Sequence, residues 1–310
     1  MNPAFSVIVF TVLSGTGFGL WFWLGLRIAF GGAPEWFEGL GWMFGLIVGA
    51  ILVAVGVIAS LRHLGKPARV WRAFSQWRSS WMSREGVFAI ACFGLAVLLF
   101  AVTWAWGHGP ARRILGAALA VGCLGAVYCT AMIYASLTPI PAWRHRLVVP
   151  GYLLFSVYGG GLLFGLFALP RPFAPNMIGL AIIVGAIALA LLKHRYWRDI
   201  DREPLPQTRG DAVGLPGRDV SVFERPHTES NYLTREMGFV LARKHAKTLR
   251  IVAAILFALI PALCALPIWL LPHVQTMPLL ILGSVSALCG AIVERWLFFA
   301  QARHLVTLYY

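Results

Sequence analysis

Residues 39–61 read GLGWMFGLIVGAILVAVGVIASL and contain no charged side chain. An α-helix needs about 20 apolar residues to cross the roughly 30 Å hydrocarbon core of a bilayer, and this run is long enough to do so. Its apolar residues are continuous and do not alternate with polar ones, as they would in a strand of a membrane barrel. The stretch therefore predicts a transmembrane helix.

Seven further stretches meet the same criterion. The composition agrees with them, because 59% hydrophobic residues, 12% charged residues and a mean hydropathy of +0.75 exceed the values of a soluble domain. We expect an all-α fold in which residues 1–310 form a single integral membrane domain, a bundle of eight transmembrane helices. The predicted spans lie near residues 4–28, 39–61, 86–106, 113–136, 148–169, 174–192, 250–271 and 277–300.

Lys and Arg are distributed unevenly between the two sides of the predicted bundle. The segments after the second, fourth and sixth spans, together with the C-terminal tail, hold 21 of the 26 basic residues when Arg250, at the very start of the seventh span, is counted with them. By the positive-inside rule, these segments and both termini are expected on the cytoplasmic side of a bacterial inner membrane. The net charge of +14 is thus concentrated on one face, where it can attract anionic lipid headgroups or an acidic partner. Nucleic acid is not an expected partner.

The connection between the sixth and seventh spans, residues 193–249, is the longest polar segment. Its residues 198–219 read RDIDREPLPQTRGDAVGLPGRD, and the prolines, glycines and mixed charges predict an irregular cytoplasmic strap. From Thr228 onward, apolar residues recur at helical spacing among basic ones, which predicts an amphipathic helix on the membrane surface. This helix either faces lipid without a specific partner or, together with the strap, forms a docking surface for a cytoplasmic subunit. We favour docking, because a pure linker would not need so many residues.

The cysteines and histidines argue against a metal centre in this protein. All five cysteines fall within predicted helices and none forms a CxxC pair, so neither an iron–sulfur cluster nor zinc is expected. The eight histidines lie at predicted helix ends or in loops, whereas a haem between helices usually needs a facing pair. Haem is therefore not expected either, although a pair such as His63 with His304 stays open.

The polar interruption at residues 61–85 carries the candidate chemistry. Titratable groups where a bilayer meets water suit a lipid-soluble substrate such as a quinone, whose reduction takes two electrons and two protons. His63 can donate or accept a proton near neutral pH, Arg69 can polarise a carbonyl oxygen, and Glu85 can relay protons. For His63, a role in capping the helix or contacting a headgroup is an equally open interpretation.

Aromatic and charged residues nearby have simpler alternatives. Trp71, Trp77 and Trp81 could stack on a quinone ring, but the interfacial aromatic belt is the favoured interpretation. Glu294 and Arg295 fall inside the eighth predicted span, where ionisable residues are functional candidates by default. Pairing with neighbours for packing alone is the alternative for these two residues.

Three motifs resemble one known family, the membrane anchor subunits of the dimethyl sulfoxide reductase family. The first is SLRHLGKPARVWRAFSQWRSSWMSREG at residues 60–86, where a histidine at a helix end is followed by a glutamate at the next helix. The others, SLTPIPAW at 136–143 and ERWLFFAQARH at 294–304, are less specific. In the third motif this protein has Ala291 about one turn before Arg295, where the family's glutamate is expected, and the acid is Glu294 instead.

The resemblance implies an anchor without a redox centre of its own that exchanges electrons with ubiquinone or menaquinone. It implies two partners, a ferredoxin-like subunit with four [4Fe–4S] clusters and a molybdopterin catalytic subunit. Carried over by motif, His63, Arg69 and Glu85 are the quinone-site positions. Trp71, Trp81, Arg295 and His304 are candidates for accessory contacts.

The predicted orientation distinguishes among members of that family. A cytoplasmic position of the quinone motif, with a long basic strap, resembles the sulfite-oxidising branch, in which electrons pass from cytoplasmic sulfite oxidation to quinone. An anchor of a dimethyl sulfoxide-type respiratory reductase, which oxidises quinol, is the first alternative. A transporter is the second, although the predicted spans show neither the broken helices nor the midplane charges typical of that class.

Overall fold

A computed structural model describes residues 4–30, 41–62, 66–107, 109–168, 175–203, 205–224, 244–271 and 274–309. Every regular element in these ranges is helical, and eight helices are long and apolar enough to cross a membrane. The predicted all-α membrane bundle is thereby confirmed. The eight helices are α1 Phe5–Phe30, α2 Gly41–Leu61, α3 Trp81–Trp106, α4 Pro110–Ala135, α5 Val148–Ala168, α6 Pro175–Arg202, α7 Ala246–Leu270 and α8 Thr276–Ala300.

Helix α1 lies at the centre and packs against α2, α4, α5 and α8. Small residues allow its backbone to approach its neighbours closely, as is usual where lipid offers no hydrophobic drive for helix association. A Cβ atom on Gly160 of α5 would overlap the carbonyl carbon of Gly19, and one on Gly25 would lie 2.5 Å from the carbonyl oxygen of Gly116 in α4. These contacts make α1 the core of the bundle.

Helix α7 contains one π-helical turn at Ile255–Leu259. Pro261 follows it, and because proline has no N–H the carbonyl of Phe257 cannot receive its usual α-helical hydrogen bond. The hydroxyl of Ser286 in α8 donates a hydrogen bond to the carbonyl of Leu256 at 2.8 Å, which satisfies one acceptor of this turn. Together these contacts fix how α7 sits against α8.

The C-terminal tail joins several connections at one end of the bundle. The N–H of Leu305 donates to the carbonyl of Pro139 in the α4–α5 connection at 2.9 Å. The hydroxyl of Tyr309 donates to the carbonyl of Ala212 in the α6–α7 connection at 3.0 Å. We call this end, with the α2–α3, α4–α5 and α6–α7 connections and the tail, the basic face. Because eight spans alternate in direction, the start of α1 lies at the same end.

The α6–α7 connection begins later than predicted. Helix α6 continues to Arg202, so residues 193–202 of the expected strap are helical, with Tyr196 and Trp197 buried. The helix ends before residue 204, a proline, because the residue preceding proline is disfavoured in the α conformation.

The rest of that connection is described only in part. Residues 205–224 are mostly irregular, with one helical turn at Arg209–Ala212. The side chain and N–H of Thr208 cap this turn together with Asp211, and these hydrogen bonds lower the pKa of the Asp211 carboxyl group. Most of the amphipathic helix expected from Thr228 lies outside the described residues.

Candidate functional site

The α2–α3 connection forms a 3₁₀ helix at Pro67–Gln76 on the basic face. Arg69 is exposed on it, whereas His63 lies outside the described residues. The ring of Phe74 packs against α3, since a Cβ atom on Gly86 would lie 2.8 Å from it. The guanidinium group of Arg84 donates to the carbonyls of Trp77 at 3.0 Å and Arg78 at 2.5 Å. The connection is therefore fastened to the start of α3.

Helix α3 begins earlier than predicted, at Trp81 rather than near residue 86. The hydroxyl of Ser80 accepts a hydrogen bond from the N–H of Ser83 at 3.4 Å, which is an N-cap. At 1.5 Å of rise per residue, Glu85 therefore lies about 6 Å along the helix axis rather than before the helix.

The carboxyl group of Glu85 is buried and contacts a hydroxyl group. Glu85 is 9% exposed, and the hydroxyl of Thr130 in α4 hydrogen-bonds to its Oε1 atom. No ion pair among the described residues includes Glu85. The hydroxyl of Thr130 also lies 3.1 Å from the carbonyl oxygen of Ala126. Since a hydroxyl both donates and accepts, Thr130 can donate to a carboxylate, or accept from a protonated carboxyl group and donate to Ala126.

The tryptophans of this region occupy different surroundings. Trp71 and Trp77 are exposed, with the guanidinium groups of their neighbours Arg72 and Arg78 over their rings. Trp81 instead packs edge-on against Tyr128 of α4, with ring centroids 5.8 Å apart. The structure thus brings Trp81 to the α3–α4 interface near Glu85 and leaves Trp71 at the surface.

Arg295 belongs to a buried ionic cluster with Lys193 and Glu294. The Nζ atom of Lys193 lies 2.5 Å from Oε1 of Glu294, and Nη1 of Arg295 lies 3.5 Å from Oε2 of the same carboxylate. The side chains of all three are at most 6% exposed. The guanidinium group of Arg295 also lies over the ring of Tyr152, 3.7 Å from its centroid.

Lys193 is a functional candidate that the sequence does not reveal, because Lys193 falls among the basic residues of the predicted connection between the sixth and seventh spans. It lies inside α6, nine residues before the end of the helix. The apolar run that predicts the sixth span stops at residue 192, and only the buried aromatic residues Tyr196 and Trp197 signal that the packed helix continues. Thr130 was also missed, since one threonine in an apolar span carries no pattern.

His304 has a local structural role in the tail. Its Nδ1 atom accepts a hydrogen bond from the N–H of Val306 at 3.0 Å and caps the 3₁₀ turn at Leu305–Leu308. Partial burial lowers the pKa of His304. These contacts fasten the tail on the basic face.

A small cavity, lined by apolar groups and several hydroxyls, lies between Thr130 and Arg295 of the ionic cluster. Its volume is about 30 Å³, and Thr130, which contacts Glu85, and Arg295 both line it. One water needs about 10–15 Å³, so about two waters fit and a quinone ring does not. A quinone near Glu85 would therefore bind outside this cavity, where the α2–α3 connection meets α3.

Comparison with known proteins agrees with this architecture. Residues 1–301 match the family model described as DMSO reductase anchor subunit (DmsC). The protein is 31% identical to a sulfite dehydrogenase subunit of Allochromatium vinosum over 333 aligned positions, which cover 100% of this sequence and 99% of that relative. It is 29% identical to one chain of the anaerobic dimethyl sulfoxide reductase of Escherichia coli K12 over 123 positions, or 39% of this sequence and 42% of that relative.

The family match and the relative that aligns along its whole length cover all eight spans. The relative also covers all three motifs that carry the resemblance, at residues 60–86, 136–143 and 294–304, and the family match covers them as far as residue 301. This protein is therefore an integral membrane protein that belongs to the family of DMSO reductase anchor subunits.

Proposed function

We propose that this protein is the quinone-reactive anchor of a molybdopterin iron–sulfur oxidoreductase, and that it passes electrons from sulfite oxidation to the quinone pool. The full-length similarity to a sulfite dehydrogenase subunit supports the substrate. The partners are a molybdopterin subunit, which supplies the oxidation chemistry, and a ferredoxin-like subunit whose four [4Fe–4S] clusters carry the electrons. We place the basic face in the cytoplasm of a bacterial cell, with residues 203–249 as part of the docking surface for these partners.

The observation that carries the proposal is the surroundings of Glu85. Quinone reduction needs a group near the membrane surface that gives up protons and regains them. Glu85 is buried, contacts a hydroxyl that suits both of its protonation states, and lies beside the α2–α3 connection. Among the described residues, no other carboxyl group of a membrane-spanning helix is buried without an ion pair.

The other site residues complete the proposed quinone site. Arg69 is exposed on the fastened 3₁₀ helix, where its guanidinium group can donate a hydrogen bond to a quinone oxygen. His63 precedes this helix in the sequence and is assigned to the second quinone oxygen. Trp81 lies at the α3–α4 interface and lines one side of the proposed site. Trp71 is exposed, and its ring can contact the quinone or the lipid headgroups. Arg295 pairs with Glu294 and His304 caps the tail, so we assign neither a direct contact with quinone.

The proposal predicts the effect of replacing Glu85 with Gln in the assembled complex in native membranes. Gln keeps the size and a hydrogen bond to Thr130 but cannot exchange a proton, so we expect sulfite-dependent quinone reduction to fall by about 100-fold, the typical contribution of a general acid. The measurement is the quinone reduction rate, normalised to sulfite oxidation with an artificial dye acceptor, which reports the amount of assembled catalytic subunits.

The matched control is Glu35→Gln, since Glu35 belongs to the connection between α1 and α2, at the other end of the bundle from the proposed docking surface. Its quinone reduction should match that of the unmodified complex. If Glu85→Gln retains normal quinone turnover, the quinone site does not include Glu85. If complexes purified with this protein lack both redox partners, the anchor assignment to such a complex is wrong.

The partial match to the anaerobic dimethyl sulfoxide reductase favours a second candidate, in which the same site oxidises quinol and electrons leave toward a reductase. The residues of the site serve either direction, because the proton transfers are reversible. Purification of the complex separates the two candidates. A catalytic partner without an export signal supports sulfite oxidation in the cytoplasm, and one with a twin-arginine leader supports an exported reductase.

A further inference from the structure

The cavity beside Glu85 is lined by buried hydroxyl groups without protein partners. The hydroxyls of Tyr152, Tyr158 and Ser284 have no hydrogen-bond partner among the described residues, and each residue is more than nine-tenths buried. Buried polar groups are nearly always hydrogen-bonded, and the cavity that these three hydroxyls line, of about 30 Å³, has room for about two waters. Water bound between these hydroxyls accounts for all three groups.

A second, smaller cavity on the side of Lys193 shares lining residues with the first. Tyr152 and Arg295 line both, and the smaller cavity, of about 10 Å³, also borders Lys193 and Tyr196. That volume corresponds to about one water. The two neighbouring cavities thus border Thr130, which contacts Glu85, on one side and Lys193 on the other.

The charge of the ionic cluster and the charge of a Glu85 carboxylate are complementary. Lys193 and Arg295 together carry two positive charges, and Glu294 carries one negative charge, which leaves one positive charge in excess. A carboxylate on Glu85 balances this charge from across the cavity.

Side-chain contacts lead from Lys193 toward the basic face along α6. The ammonium group of Lys193 lies 4.1 Å from the ring centroid of Tyr196, whose ring packs against His145. His145 lies 3.4 Å from Asp199, and the side chain of Asp199 is 17% exposed. Asp199 is therefore the point at which surface water can reach this part of the bundle.

We propose that these groups form an internal proton path from the basic face to Glu85, an inference that rests on the proposed quinone function. A proton taken from surface water near Asp199 reaches Lys193, passes through water beside Tyr152 and then through Thr130 to Glu85, which delivers it to a quinone oxygen. Lys193 regains a proton from the surface after each transfer, so the path is unchanged after every cycle. The electrons for quinone come from the partner subunits.

The test uses Thr130→Val and Ser284→Ala in the assembled complex. Each variant removes a hydroxyl from the path while keeping a similar shape. We expect the kcat of quinone reduction to fall by about 10-fold or more, with the KM for quinone unchanged and a larger solvent isotope effect, since proton delivery becomes limiting. A small, membrane-permeant weak acid should restore part of the rate, which a packing defect would not allow.

The matched controls are Thr103→Val and Ser286→Ala. Thr103 hydrogen-bonds to Leu99 within α3, and Ser286 hydrogen-bonds to Leu256 in α7, and neither lines the cavity. Both control variants should keep the quinone rate and the isotope effect of the unmodified complex.

The double variant Lys193→Met/Glu294→Gln tests the far end of the path. It removes one positive and one negative charge together, so that the excess of one positive charge, carried by Arg295, is unchanged, and the expected results match those of Thr130→Val. If the Thr130 and Ser284 variants turn over quinone normally without an isotope effect, while Glu85→Gln is defective, the path is wrong and the quinone site stands. If Glu85→Gln is also normal, the proposed function itself fails.

Discussion

At the scale of single residues, Glu85 and Glu294 show how one side chain type serves two purposes in a membrane. Glu294 is held by the ammonium group of Lys193 and the guanidinium group of Arg295, so its charge is balanced by fixed protein groups. Glu85 contacts a hydroxyl, so among the described contacts only a proton can neutralise it directly. The first arrangement suits structure, and the second suits proton exchange.

The cap formed by His304 predicts a pH-dependent tail. Because partial burial lowers its pKa, His304 is neutral in the folded protein over more of the acid range than in an unfolded polypeptide. Its stabilising contribution is present above the unfolded pKa and is lost as the pH falls through the lower folded value, when a protonated Nδ1 can no longer accept from Val306. Hydrogen exchange at Val306, divided by the intrinsic rate, should be faster at about pH 5 than at about pH 8.

The control for this prediction is His304→Asn. Asparagine is a good capping residue that does not titrate, so the tail of this variant should show the same protection at both pH values. Equal pH dependence in the variant and the unmodified protein would mean that another group governs the tail.

Functional candidates at the edges of the spans are easier to recognise from the sequence than those inside the spans. Glu85 stands out because it follows a polar segment. Thr130 and Lys193 do not, because their importance depends on which helices pack together, and one threonine or lysine has no periodic signal. The pairing of Glu294 with Lys193 needed the packing of α6 against the last span, which no local pattern contains.

At the scale of helices, the bundle depends on close packing around α1. The hydroxyl of Ser156 in α5 donates to the carbonyl of Gly15 at 2.6 Å, and the indole N–H of Trp23 donates to the carbonyl of Val157 at 2.8 Å. Such short interhelical contacts are possible only because Gly19 and Gly160 leave the two backbones in contact. The α1–α5 interface therefore tolerates no added atom at these positions.

Gly160→Ala should destabilise the protein. The added Cβ would overlap a backbone carbon of Gly19, so α1 and α5 must separate, and overpacking of this kind costs about 1–3 kcal/mol or more. Thermal unfolding of the purified complex in detergent should show a lower midpoint for the variant.

Gly94→Ala in α3 is the matched control, since a Cβ atom there would meet nothing within 4 Å. Alanine is the better helix former, so this variant should unfold at the same temperature or a higher one. Equal losses in the two variants would show that helix packing at Gly160 is not the cause.

Hydropathy predicts all eight helices, but it does not predict the residues at which they begin and end. The α3 start at Trp81 is set by the Ser80 cap, and the extension of α6 to Arg202 is set by burial of its aromatic residues. Both ends lie where a helix leaves lipid, and there capping and contacts within the basic face decide the boundary rather than apolar content.

At the scale of the whole molecule, the basic residues are concentrated at one end of the bundle. The tail and three connections meet on the basic face, which carries 21 of the 26 basic residues in the sequence if Lys193 is included and 20 without it, because Lys193 is buried in α6. The correction leaves the asymmetry intact. The opposite connections hold few basic residues, among them Arg112, which is buried at the start of α4 near Trp42.

The orientation predicts opposite results for two reporter fusions. Green fluorescent protein joined after Tyr310 should fluoresce, because the orientation that we propose from the positive-inside rule puts the tail in the cytoplasm. Alkaline phosphatase joined after Gly107, which follows α3, should be active, because that position lies across the membrane. The same reporters exchanged between the two positions serve as controls and should be silent. The reverse pattern would place the basic face outside.

The Lys193–Glu294 ion pair also has a consequence for biogenesis. It joins helices that are made far apart in time, because the ribosome completes α6 about a hundred residues before α8. Until the last helix is inserted, Lys193 is a lone amine among lipids and helices, and a nascent polypeptide truncated before α8 cannot satisfy it. The ion pair can therefore form only in a polypeptide that contains α8. A membrane protease that recognises exposed polar groups can then distinguish truncated products from the protein that contains all eight helices.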